Sequence, residues 1–137
     1  ASKATVMKYD GSNWVNVGGN AGITNKAINN IYLEIDNSSN PWIIYQYTSD
    51  DVSGGWTPIY VQVTAVMKYD GSNWLNWFNT PLNDDYYSGS IAFDNNGIPY
   101  ITYATGTSLC SSYSNVIIVK KYDSSSSNWI TIGNTTM

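Results

Sequence analysis

The groups in this chain that could do chemistry are few. It carries ten Asp and Glu, six Lys, one Cys and no His in 137 residues. Without His or a second Cys, a Cys–His nucleophile and a thiolate zinc site are both excluded. Cys110 reads as a small hydrophobe, and no internal disulfide can form. The acids that stand in pairs are Asp50-Asp51 and Asp84-Asp85. Paired carboxylates could serve glycoside hydrolysis, or supply oxygens to Ca²⁺. The plainer reading is two solvated acidic loops. No Gly-rich loop opens a helix, so no phosphate cradle is expected. We therefore expect no enzyme and no cofactor, Ca²⁺ being the one ion whose oxygen ligands the loops could offer.

Aromatic side chains are far more numerous, with twelve Tyr, six Trp and two Phe. Trp14, Trp74 and Trp129 recur at one position, and Trp42 and Tyr100 at another, which points to packing. Trp56, Trp77, Tyr86 and Tyr87 have no evident counterparts. Residues that depart from a repeat, in or beside loops, are the better candidates for a specific site. Together with Asp84 and Asp85 they form our candidate ligand-binding set. Exposed Trp and Tyr suit the apolar face of a sugar ring, while Asp and Asn accept from its hydroxyls. The competing reading is a local cap over an uncovered sheet edge.

These residues hang on a repeat. Val66-Met67-Lys68-Tyr69-Asp70-Gly71-Ser72-Asn73-Trp74 repeats Val6 to Trp14 without a change, 60 residues on. A looser copy runs from Val119 to Asp123 and resumes at Asn128-Trp129. Such self-similarity signals a repeat architecture. Each copy reads as a hairpin, two strands of alternating residues around an Asp-Gly turn. A second kind of hairpin alternates with it. Ile31–Ile35, a turn at 36–40 and a return from Pro41 to Tyr47 match Ser90–Phe93, the turn Asp94–Gly97 and a return to Tyr103, 58 residues on. Proline is tolerated at the start of a return strand, before its missing N–H is needed.

With the first called the motif hairpin and the second the proline hairpin, the order is motif, proline, motif, proline, motif. That gives about ten strands and no credible helix. Polar loops are expected at 48–58, 79–89 and 106–115, and a long strand over Ile59–Tyr69. Two hairpins per repeat make four strands, the content of a β-propeller blade. The expected fold is all-β, a propeller-type repeat of four-stranded antiparallel blades, about two and a half in the chain: a half blade over 1–22 and blades over 23–79 and 80–137.

The strings Lys3–Gly18 and Ile91–Tyr103 also resemble a repeat found in tandem in secreted and surface microbial proteins. Those proteins look like β-propellers of mostly uncharacterised function. The resemblance covers nearly the whole chain and implies the propeller architecture; it carries no catalytic or binding residues. A fainter likeness to the Asp-box of sialidase propellers fails on the Asp–Gly spacing, and Asp-boxes lie away from active sites.

Only 12% of residues are charged, and the net charge is −4 with no basic cluster. Nucleic acid and anionic membranes are thus unexpected partners, and no apolar run is long enough for membrane insertion. The wealth of Ser, Thr, Asn, Tyr and Trp suits an extracellular or cell-surface protein. Asn37-Ser38-Ser39 and Asn134-Thr135-Thr136 fit the glycosylation sequon. The chain begins at Ala1, as a processed or trimmed one would. Both ends are motif hairpins, so the ring does not close by pairing the termini. Open edges are normally covered. The chain is then expected to be part of a longer propeller, or a homo-oligomer or filament subunit. The expected function is a non-catalytic module binding a glycan or surface protein through inter-hairpin loops. The alternative is a structural subunit that assembles through unpaired edge strands.

Overall fold

The computed structural model describes residues 2–50, 53–79, 85–109 and 112–133, with the backbone alone at 85–88, 105–109 and 112–115. Ten strands in three antiparallel sheets account for its regular structure, and no helix occurs among the described residues. The first sheet is a two-stranded hairpin, β1 (Met7–Tyr9) and β2 (Trp14–Asn16). The second has the order β3 (Ile28–Ile35), β4 (Pro41–Thr48), β5 (Gln62–Tyr69), β6 (Trp74–Asn79). The third runs β7 (Asp85–Phe93), β8 (Pro99–Leu109), β9 (Ser112–Asp123), β10 (Asn128–Ile132). Each four-stranded sheet is a proline hairpin followed by a motif hairpin, joined through β4–β5 or β8–β9. The all-β class is as expected, with sheets of two to four strands, and no closed propeller is seen among the described residues.

The turns follow their residue chemistry. The Asp10 carboxylate accepts from the backbone N–H groups of Ser12 and Asn13, and Asp70 accepts from Ser72 and Asn73, all within 2.8 Å. Gly11 and Gly71 sit at φ 103° and 98°, where only glycine is at ease. In the third copy Ser127 takes a positive φ of 54° instead.

Three stretches differ from expectation. Asp85 to Gly89 belong to β7 rather than to a loop, paired from Asp85↔Gly106 onward. The stretch 106–115, also expected as a loop, carries a ladder from Gly106↔Asn115 to Leu109↔Ser112. Thr and Tyr are strand formers whose polarity imitates a loop, and a partner strand decides between the two. In the other direction, β5 starts only at Gln62, after Pro58. Val61 is tied instead to Ser49, whose N–H donates to the Val61 carbonyl at 2.9 Å.

Two cores lie between the sheets. Ala4, Val6 and Val17, which flank the strands of the first sheet, meet Ile43, Tyr45, Ala65 and Met67 of the second. On the opposite face of the second sheet, Trp42, Ile44 and Val66 meet Ile91, Ile101 and Tyr103 of the third. The two central strands of the middle sheet are therefore covered on both faces, and β4 and β5 each hold five successive buried residues. This is the continuous run expected of a sheet covered on both sides.

Candidate functional site

Trp56 and Trp77, the candidate residues whose side chains are described, stand at different places. Trp56 stands on the connection from β4 to β5 with its ring fully in solvent, at 104% relative exposure. The turn beneath it is braced by Ser53, whose Oγ accepts from the Gly55 N–H at 3.2 Å. Ile59 and Tyr60 further along the connection are exposed as well. Asp84 lies outside the described residues. Asp85, Tyr86 and Tyr87 are strand residues of β7, opposite Gly106, Thr105 and Ala104. Asp50 is engaged by the ammonium group of Lys26 at 2.6 Å, and Asp51 and Cys110 lie outside the described residues. Among the described residues no cluster of acids, Cys or His could hold a metal ion.

Trp77 is built into the packing between the two four-stranded sheets. Its ring centroid is 4.7 Å from that of Trp42 and 4.7 Å from that of Tyr122. The position also has counterparts. Trp77 stands three residues after Trp74, as Val17 does after Trp14 and Ile132 after Trp129. The side chain is unusual at that position; the position itself belongs to the repeat.

Beside Trp77 lies a charge cluster that sequence reasoning missed. Asp36 accepts from Trp42 Nε1 at 3.0 Å, from the Asn40 N–H at 2.8 Å, and pairs with Lys68 Nζ at 3.3 Å. Lys68 also stands 4.9 Å over the Trp42 ring and 5.6 Å over that of Trp77. Burial works to raise the Asp36 carboxyl, but the bonds from Trp42, Asn40 and Lys68 outweigh it and hold the group at about 2. The third sheet repeats one part of it, with Lys121 5.8 Å over the Tyr100 ring. The signal was present in the sequence, since Lys68 and Lys121 share one repeat position. The arrangement is a joint between strands, with the carboxylate fully committed to donors.

A polar cleft of about 170 Å³ opens between the β2–β3 connection and the middle sheet, lined by Asn25, Lys26, Tyr45, Tyr47, Asn76 and Asn79. The Tyr45 and Tyr47 rings are 6.0 Å apart. Burial, with Tyr47 adding to it, pushes the Tyr45 phenol up to about 12, so it stays a neutral donor. An aromatic wall beside three amide side chains can bind hydroxylated ligands.

Compared with models of known families, with characterised proteins and with solved structures, the chain matches none.

Proposed function

We propose that this chain is a non-catalytic, propeller-type repeat module of an extracellular or surface protein, binding a carbohydrate or protein surface through the loops between its hairpins. The observation that carries the reading is Trp56, an indole held wholly in solvent on a connection whose neighbours Ile59 and Tyr60 are exposed too. Placing a large aromatic ring in water has no folding benefit, and stacking on a sugar ring or seating in a protein pocket would use it. The polar cleft at Tyr45 and Tyr47 is a second place for hydroxyl groups. The likeness of the repeats to those of secreted and surface microbial proteins supports the same setting. A glycan array tests this reading. Binding that is lost on Trp56→Ala and kept on Asn76→Ala assigns it to the loop, and the reverse pattern assigns it to the cleft. Absence of binding to any glycan or surface protein refutes it.

The alternative, a structural subunit that assembles through uncovered edges, is favoured by a separate observation. Met7, Tyr9 and Trp14 are 46%, 56% and 66% exposed, whereas Met67, at the place matching Met7, is buried and Trp74, matching Trp14, is packed against the first core. Light scattering decides this alternative, since a monomer that persists at high concentration excludes it.

A further inference from the structure

The two core interfaces of this protein are versions of one interface, and comparing them reveals an unfilled site. In the third sheet the strip Gly89, Ile91 and Phe93 on β7 is covered by the middle sheet. The Phe93 ring lies 5.3 Å from that of Trp42. Ile91 is 5% exposed in a core shared with Trp42 and Ile44. A Cβ built on Gly89 would come within 2.8 Å of Ile44 Cδ1. At the neighbouring turn, Asn37 Nδ2 donates to the carbonyl of Asn95 at 3.3 Å.

The matching strip on β3 is Ile31, Leu33 and Ile35, on the face of the middle sheet that meets the first sheet, since they pair with Tyr45, Ile43 and Pro41. These three are 39%, 51% and 49% exposed. The first sheet is the reason. It contains a motif hairpin, which covers Ile43, Ala65 and Met67, and has no proline hairpin in front of β3. Where the missing hairpin would stand there is a cleft of about 360 Å³, lined by Val6, Met7, Leu33, Ile35, Pro41 and Tyr69 among others. Beside it runs the open edge of β1. Val17 N–H donates to the Val6 carbonyl; backbone groups alternate along a strand, so the Met7 and Tyr9 amides point the other way, to that edge. The matching edge of β5 is paired throughout with β4.

We propose that this cleft is a receptor site for one further proline hairpin, supplied by an additional repeat joined in tandem. Its return strand pairs with β1, and one of its faces covers Ile31, Leu33 and Ile35. The occupant is specified further by a size exchange. Ile31 stands where the third sheet has Gly89, and so fills the space that Ile44 enters in the interface already formed. The incoming hairpin must be small at that position. The Gly89–Tyr103 hairpin meets the requirement, with Thr102 where the other hairpin has Ile44. The inference rests on the reading of the chain as stacked repeats, and stands whether or not Trp56 binds a sugar.

The test is a fusion of the Gly89–Tyr103 sequence ahead of the full chain, through a flexible linker as long as the connection from Ser49 to Val61. A short tether keeps the hairpin at millimolar effective concentration. The expected result is at least about ten-fold slower exchange of the Met7 and Tyr9 amides, with shifted methyl resonances at Leu33 and Ile35. A Thr102→Ile change in the added hairpin, or Leu33→Asp in the acceptor, should abolish that protection. Unchanged exchange in the fusion, or protection that survives both substitutions, overturns the proposal. So does a homodimer of the unfused chain in which the Leu33 and Ile35 methyls are already covered. The oligomeric state tests assembly separately, so failure of the hairpin site and failure of the structural-subunit reading are distinguishable.

Discussion

The indole N–H of Trp74 donates to the backbone carbonyl of Val17 at 3.0 Å, across 57 residues and from one sheet to another. One repeat later Trp129 donates to the carbonyl of Trp77, also at 3.0 Å. Val17 and Trp77 each stand three residues after the preceding motif Trp. The tryptophan of the motif is thus a clasp that fastens each motif hairpin to the one before it. Phenylalanine keeps most of the ring and loses the donor. Trp74→Phe and Trp129→Phe should each cost about 1–3 kcal/mol in denaturant unfolding, since a carbonyl between sheets loses its partner. Trp14, with its ring in solvent, should tolerate the same change within about 0.5 kcal/mol.

Asp36 makes stability fall in acid, in a way that can be isolated. Its folded-state value of about 2 lies below the ordinary 3.8. A depressed carboxyl stabilises the fold above the unfolded-state value and loses that contribution as pH falls through the folded one. Its side chain is only 8% exposed, so screening by water removes little. Asp36→Asn should be less stable than the parent by about 2 kcal/mol at neutral pH. The gap should narrow below about pH 4 and close near pH 2. A pH-independent difference between the two would contradict this account.

Ser39 and Gly97 occupy the same place in the two proline hairpins, each donating its N–H back to the turn Asp at 2.9 Å. Both have positive φ, 63° and 77°. A Cβ is strained there. Ser39→Gly should therefore stabilise by about 0.5 kcal/mol, and Gly97→Ser should destabilise by about 1 kcal/mol, both read from thermal or denaturant midpoints.

Trp56→Ala should leave the unfolding midpoint unchanged, because the ring has no buried surface to lose. Any effect of the substitution should fall on binding alone. A drop in stability of more than about 1 kcal/mol would assign the ring a structural contact in solution.

The hairpins were legible in the sequence because two signals coincide there, alternation with period two and verbatim repetition. The Asp-Gly turns were legible because a carboxylate and a residue free at positive φ are what such turns need. The ends of β7, β8 and β9 were not. Ser, Thr and Tyr suit a loop or a strand equally, and Leu109↔Ser112 pairing follows from the partner. Among the candidate site residues, Trp56 is on an exposed loop as its neighbours suggested. Trp77 misled because it departs from the repeat in chemistry and not in position. The Asp36–Trp42–Lys68 contact was not legible because it joins a turn residue to two strand positions whose register only the ladder sets.

The identity of Val6–Trp14 and Val66–Trp74 has a consequence for how the chain reaches this structure. While the polypeptide is still unfolded, β4 meets two partners that are identical over the part of its ladder from Val66 to Lys68, and only the upstream part, Gln62–Ala65 against Ser2–Thr5, tells them apart by side chain. Chain connectivity adds little to that choice. The route forward from Thr48 to Gln62 is short, and the entropy of closing a loop favours near partners only weakly. A population with the earlier copy annealed to β4 is therefore a built-in kinetic trap. Refolding should show a slow phase that disappears when one copy is recoded, for example by Met7→Lys, while the native unfolding rate stays the same.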